Sequence, residues 1–198
     1  MMKTETIVKV KLSAMNYLEF AVWGAYLTSL GTFLWNKGME SSIGIFYAIQ
    51  GIVSLFMPAV IGIIADKYIQ AQRMLSICHF IAGAFMIGAG LYSATVGDNI
   101  QFGPLFVLYS ISVGFFMPTI GLSNSIAYTT LNKYNLDTIK HFPPIRVFGT
   151  VGFICAMLFV NFTGFQNTYN QLFTSGVLSI ILALYSLTLT KCPTNKSA

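Results

Sequence analysis

Residues 147–190, VFGTVGFICAMLFVNFTGFQNTYNQLFTSGVLSIILALYSLTLT, contain no Asp, Glu, Lys or Arg. A helix that crosses a bilayer needs about 20 mostly apolar residues. This stretch is therefore long enough for two such helices and a turn. Residues 74–97 and 99–132 are equally free of charge. The composition agrees, with 55% of the 198 residues hydrophobic, 9% charged and a mean hydropathy of +0.70. A soluble domain carries about 25% charged residues, and eleven Lys and Arg with six Asp and Glu are too few to solvate a soluble fold of this length. Disorder is excluded too, because it requires low hydrophobicity and high charge. The chain reads as an all-α, polytopic membrane protein.

Working outward from that stretch, hydropathy and helix breakers predict six transmembrane helices over 12–34, 43–65, 74–96, 104–128, 142–162 and 172–190. Asn36-Lys37-Gly38, Gly97-Asp98-Asn99, the polar run 129–141 and residues 164–170 separate them. With the N-terminus in the cytoplasm, Lys3, Lys9, Lys11, Lys67, Arg73, Lys133, Lys140, Arg146, Lys191 and Lys196 fall at or near the inner face. Only Lys37 falls outside. That asymmetry follows the positive-inside rule and puts both termini in the cytoplasm. The net charge of +5 is then a membrane-topology signal, with no implication of nucleic-acid binding.

Other classes are excluded in turn. Cys78, Cys155 and Cys192 are widely spaced and form no CxxC or metal pattern, so no disulfide, metal or cofactor is expected. The first span is too long for a signal-peptide core and contains Glu19, so a cleaved leader fits poorly. No HExxH, Walker loop, GxSxG or paired carboxylate occurs, and short loops leave no room for a soluble catalytic domain. The chain is not expected to be an enzyme.

Polar residues inside a span are costly and usually face the protein interior or a watery cavity. Tyr109, Ser112, Phe116, Thr119 and Ser123 recur at steps of three and four in the fourth span, with Asn124 and Tyr128 extending the stripe. This stripe lines either a cavity or a helix–helix seam. Glu19, Trp23 and Tyr26 share a face of the first span, with Glu19 about 10 Å deep at 1.5 Å per residue. Burial disfavours charge, so Glu19 is a candidate for proton coupling or substrate binding, or else is tied to a Lys or Arg. Tyr47, Gln50 and Ser54 form a weaker stripe in the second span. His79 begins the third span and reads as a packing residue. Arg146, Thr150 and Phe153 share one face of the fifth span and offer a planar cationic donor fork, a hydroxyl and an apolar ring. That set suits a polar, partly aromatic ligand. Arg146 could equally be a snorkelling anchor at the inner face.

The loop Gly62-Ile63-Ile64-Ala65-Asp66-Lys67, followed by Arg73, resembles the signature between the second and third helices of the major facilitator superfamily. The resemblance implies a conformational gate formed by Gly62, Asp66, Lys67 and Arg73. Tyr68 and Gln70 replace a common Gly and a common basic residue. FAVWGAYLTSLG (20–31), FMPAVIGIIADK (56–67), Cys78-His79-Phe80, MPTIGLSNSIAY (117–128) and FPPIRVFGTVGF (142–153) together are similar to the bacterial nucleoside permeases, the nucleoside:proton symporters of that superfamily. The similarity runs over about residues 15–190. It implies a nucleoside site lined by Arg146, Thr150 and Phe153, proton-coupled uptake by alternating access, and a bacterial inner membrane. Glu19 stands where the family carries Gln, so coupling through it is not implied. The family has about twelve helices, with a cavity between two halves, and this chain resembles the first half only. Its expected partners are a nucleoside, protons, the lipid bilayer, and a C-terminal half or second six-helix chain. We expect the chain to be a fragment. A non-transporting assembly or regulatory membrane protein and an oligomeric channel are the alternatives. A channel would show continuous polar stripes around a symmetric pore, whereas the clear stripes lie in spans one, four and five.

Overall fold

The computed structural model describes residues 2–194, with side chains from residue 4. Lys196 and the side chain of Lys3, both counted in the charge asymmetry, lie outside the described residues. The described chain is helical: α1 (Met2–Gly24), α2 (Leu30–Asn36), α3 (Ile43–Lys67), α4 (Ala71–Val96), α5 (Phe102–Lys133), α6 (Thr138–Phe162) and α7 (Asn170–Ser186). Short 3-10 turns precede α3 and α7. The ends are chemically marked. Asp137 caps α6 by accepting from the amides of Ile139 (2.9 Å) and Lys140 (3.4 Å). Gly97 ends α4 at φ 66°, a conformation only glycine adopts readily. Beyond it, Lys37 Nζ donates to Asp98 at 2.6 Å and holds that exposed carboxyl below its usual range.

The predicted first span departs from expectation. It is not one helix over 12–34 but two helices, α1 and α2, separated by turns at 25–29. The cause lies in α3. The Tyr47 hydroxyl donates to the Leu27 carbonyl (2.8 Å) and accepts from the Gly31 amide (3.2 Å). Residues 27 and 31 would otherwise bond to each other in the i→i−4 ladder, so the hydroxyl is inserted into that rung and the helix breaks there. The sixth span is also shorter than predicted, ending at Ser186. Four helical segments are long and apolar enough to cross a membrane: 40–67, α4, α5 and α6. α7 is apolar but shorter.

Lipid supplies little hydrophobic drive between helices, so close packing by small residues must hold them together. α1 lies against α6 and α7, α4 against α5 and α7, and α3 against α5. At the α1–α6 crossing Gly152 rests on the backbone of Tyr17 and Gly24 on the backbone of Phe153, with no room for a Cβ at either. Gly83 and Gly176 meet in the same way between α4 and α7.

The buried apolar residues form two main clusters. One gathers Tyr26, Phe33, Phe46, Met86, Tyr109 and Phe116. The other gathers Leu12, Met15, Leu75, Cys78, Ile126 and Leu182. Along α1, α4, α5 and α7, a layer of polar residues separates the two. The outward faces of α3 and α6 carry exposed large apolar residues, including Leu55, Phe56, Val147 and Phe162.

Candidate functional site

Two arrangements emerge, one on an open face and one sealed inside. The open face is built where α1 crosses α6. The Arg146 guanidinium carbon stands 3.9 Å above the centre of the Phe20 ring, a cation–π contact. A Cβ on Gly149 would collide with Arg146 and with the Phe20 ring, so this glycine makes the contact possible. One turn further along α1 and two turns along α6, Phe153 meets Trp23 edge-on at 6.1 Å between ring centres. Arg146 and Phe153 are half-buried and Thr150 is exposed. The three residues predicted from helical spacing therefore share a face that opens away from the bundle. Trp23 and Phe20 on α1 supply its aromatic floor. Trp23 Nε1 donates to Gln50 Oε1 at 3.2 Å, and Gln50 Nε2 donates to the Tyr109 hydroxyl at 2.6 Å, so α3 and α5 brace that floor from behind. Tyr26 and Tyr109 are both buried, with their rings edge-on at 5.9 Å.

Inside the bundle, Glu19 has no solvent exposure, and its partners are neither Lys nor Arg. Its Oε2 lies 2.9 Å from His79 Nε2, and its Oε1 accepts from the Thr119 hydroxyl at 2.6 Å. His79 Nδ1 lies 2.9 Å from Ser179 Oγ. α1, α4, α5 and α7 thus each contribute one side chain to a polar centre, which sits between the two apolar clusters.

The stripe predicted on α5 divides. Ser112 is spent on a seam, donating to the Ala82 carbonyl of α4 at 2.7 Å. Thr119 and Ser123 are buried, and Asn124 is half-buried with an unbonded Oδ1. Ser54 is exposed and bonds its own helix. At the α3–α4 turn, Asp66 and Arg73 are exposed, while Gly62 and Lys67 are half-buried. Among the described residues the ion pairs are Lys9–Glu5, Lys37–Asp98 and His79–Glu19, so the gate residues make none in this conformation.

The model of the nucleoside H+ symporter family matches residues 6–198. The chain belongs to that family. It is 37% identical over 190 residues to nucleoside permease NupG of Escherichia coli K12, covering 95% of this chain and 44% of that protein. Against the xanthosine permease of the same organism it is 37% identical over 188 residues, covering 94% and 43%. Two crystal structures of the nucleoside transporter NupG, one of a mutant, match with TM-scores of 0.89 and 0.86 at 36% and 37% identity. They cover 96% and 94% of this chain and 46% and 45% of theirs. The chain spans less than half the length of the relatives it matches. These relatives are transporters by name, in keeping with the lack of catalytic motifs.

For this family member, sequence reasoning missed three contributors. Phe20 carries no signal of its own in the sequence, because its meeting with Arg146 depends on a helix crossing. His79 was read as packing, although an ionisable group inside an otherwise uncharged span was itself a signal. Ser179 lies on a stripe of α7, Gln171, Ser175 and Ser179, at steps of four. All three are buried, and Ser29 donates to Gln171 at 2.8 Å while Ser175 donates to the Val22 carbonyl at 2.9 Å. That spacing is legible in the sequence.

Proposed function

We propose that this chain is the first half of a twelve-helix, proton-coupled nucleoside transporter of the major facilitator type, working by alternating access. In this reading the half comprises six membrane spans, the first broken at 25–29 and the last short. Both termini lie in the cytoplasm and the protein resides in a bacterial inner membrane. A second six-helix half, from the same or another chain, closes the cavity over the α1–α6 face. The observation that carries the reading is the face itself, where a guanidinium, a hydroxyl and a partly exposed aromatic ring converge. A nucleoside offers hydroxyls and base acceptors to the fork of Arg146, and a flat base face to Phe153. The Phe20 ring holds the guanidinium plane in place before a ligand arrives, which lowers the cost of ordering it on binding. Asp66, Lys67 and Arg73 would form the gate pairing in a different conformation.

The test is Arg146→Lys in the full-length transporter that contains this half. Lysine keeps the charge, so a snorkelling anchor would tolerate it. A binding residue would not, because the planar fork is lost. Losing a hydrogen bond to a charged donor costs roughly 1.5–3 kcal/mol, or about ten- to a hundredfold in nucleoside affinity. Wild-type affinity at normal expression would overturn the assignment.

A further inference from the structure

We infer that Glu19 and His79, with Ser179 and Thr119, form a buried proton-binding site of this half, and that its occupancy is linked to ligand on the α1–α6 face. The inference rests on the nucleoside reading above for its ligand, but the site itself is defined by geometry alone. Glu19 and His79 are both fully buried and 2.9 Å apart. Replacing such a pair by apolar residues is often neutral or stabilising in proteins, so stability is a weak reason for keeping it. An ionisable group within a span marks a functional site by default.

The hydroxyl partners allow two proton counts without moving a heavy atom. Ser179 has one hydroxyl proton and two acceptors, each at 2.9 Å: His79 Nδ1 and the His79 carbonyl oxygen. In the unloaded state the ring carries its proton on Nε2 and donates it to the Glu19 carboxylate. Ser179 then donates to Nδ1, and the pair has a net charge of −1. In the loaded state a proton is added to Nδ1. The Ser179 hydroxyl turns to the His79 carbonyl, and its oxygen accepts from Nδ1–H. The pair is then neutral overall, whether the proton between Nε2 and Oε2 sits on the ring or on the carboxyl. Thr119 offers the same choice on the other side, since its hydroxyl reaches both Glu19 Oε1 and the Phe116 carbonyl.

The titratable and charged groups around the pair are few. On α4 the Cys78 thiol adjoins His79, and on α1 Tyr26 lies two turns beyond Glu19. On α5 Tyr109 packs behind Tyr26, and Tyr128 and Lys133 lie further along that helix. From α6 the cation is Arg146, held on Phe20 next to Glu19 in the chain, with the thiol of Cys155 further along that helix. Tyr47 of α3 is engaged at the α1–α2 break. α7 presents the hydroxyls of Ser175 and Ser179, and its titratable side chain, Tyr185, is bonded to the Lys11 carbonyl. With no Lys or Arg bonded to it, the unloaded pair has no partner cation, and a proton is the cation that neutralises it.

The route to the open face is short. The Phe116 ring lies 5.9 Å from the His79 ring and 6.3 Å from Trp23, which in turn meets Phe153. Phe20, under Arg146, is the next residue after Glu19. A change of charge at the pair therefore acts on the residues that floor the ligand face.

The experiment uses the full-length transporter in detergent. Nucleoside affinity of the wild type should rise as pH falls, by up to tenfold per pH unit where one proton is taken up with ligand. Glu19→Gln keeps the shape and an acceptor for Nε2–H, and its affinity should become independent of pH. Glu19→Gln retaining the wild-type slope would overturn the site. Should that variant not fold, Ser179→Ala supplies the test. Removing the acceptor of Nδ1–H penalises the loaded state most, so the midpoint of the pH profile should move to lower pH by about half to one unit. An unmoved midpoint would overturn the proton relay. A third measurement needs no ligand: the infrared bands of the pair, the Glu19 carboxyl and the His79 ring together, should change with pH in the wild type, the change should be absent from Glu19→Gln, and a wild type in which neither band changes would overturn the site. A wild type that binds no nucleoside yet shows this titration defeats the nucleoside reading and leaves the proton site standing. An identical infrared titration in both proteins defeats the proton site.

Discussion

Replacing Gly152 by alanine perturbs the crossing on which the open face is built. A Cβ at that position would overlap the Tyr17 carbonyl, with the carbonyl carbon at 2.8 Å and the Cα at 3.0 Å. All three atoms are backbone, so no side chain can rotate away, and α1 and α6 must separate by on the order of 1 Å to reach ordinary contact. Overpacking of this kind costs about 1–3 kcal/mol. The helix propensity gained from Gly to Ala offsets up to about 1 kcal/mol of that. We therefore expect a net loss of about 1–2 kcal/mol. Separation also carries Phe153 away from Trp23. Their ring centres, now 6.1 Å apart, would approach the outer limit of about 7 Å for a favourable aromatic pair. Thermal unfolding of the full-length transporter in detergent, followed by nucleoside binding on the same samples, reads both effects. Gly121→Ala is the control, because a Cβ there meets nothing within 4 Å. Gly152→Ala should be less stable than Gly121→Ala and bind more weakly. Equal stability with wild-type affinity would refute the crossing as the source of the site's geometry.

Two further outcomes follow from the fold. Tyr47→Phe withdraws the hydroxyl from the Leu27–Gly31 rung and lets that backbone bond close, exchanging two hydrogen bonds for one. Stability should change by only about 1 kcal/mol, while amide exchange across residues 25–31 becomes slower. Faster exchange there would mean that the hydroxyl is not what interrupts the helix. A reporter joined after Ala198 should be accessible only from the cytoplasm, and labelling from outside would defeat the proposed topology.

The open face was legible in the sequence to the extent that it lies on single helices. Arg146, Thr150 and Phe153 recur at helical spacing, and any helix would place them together. Phe20 could not be added to them, because its distance from Arg146 is set by how closely α1 approaches α6, and that approach depends on Gly24, Gly149 and Gly152. Ser112 shows the converse. Its place in a regular stripe was correct, but whether that face met a cavity or the carbonyl of Ala82 depended on the neighbouring helix.

By itself the sequence determined the class of protein and the positions of most helices. These properties follow from local quantities: apolar length against bilayer thickness, and turn residues between spans. Tertiary structure alone decided the break in the first span, which a tyrosine from another helix imposes, and the partnership of Glu19 with His79, separated by sixty residues. The physical reason is the same in both cases. A hydrogen bond between helices requires a donor and an acceptor within about 3 Å, and helical periodicity sets the direction in which a side chain points but not the distance to the next helix.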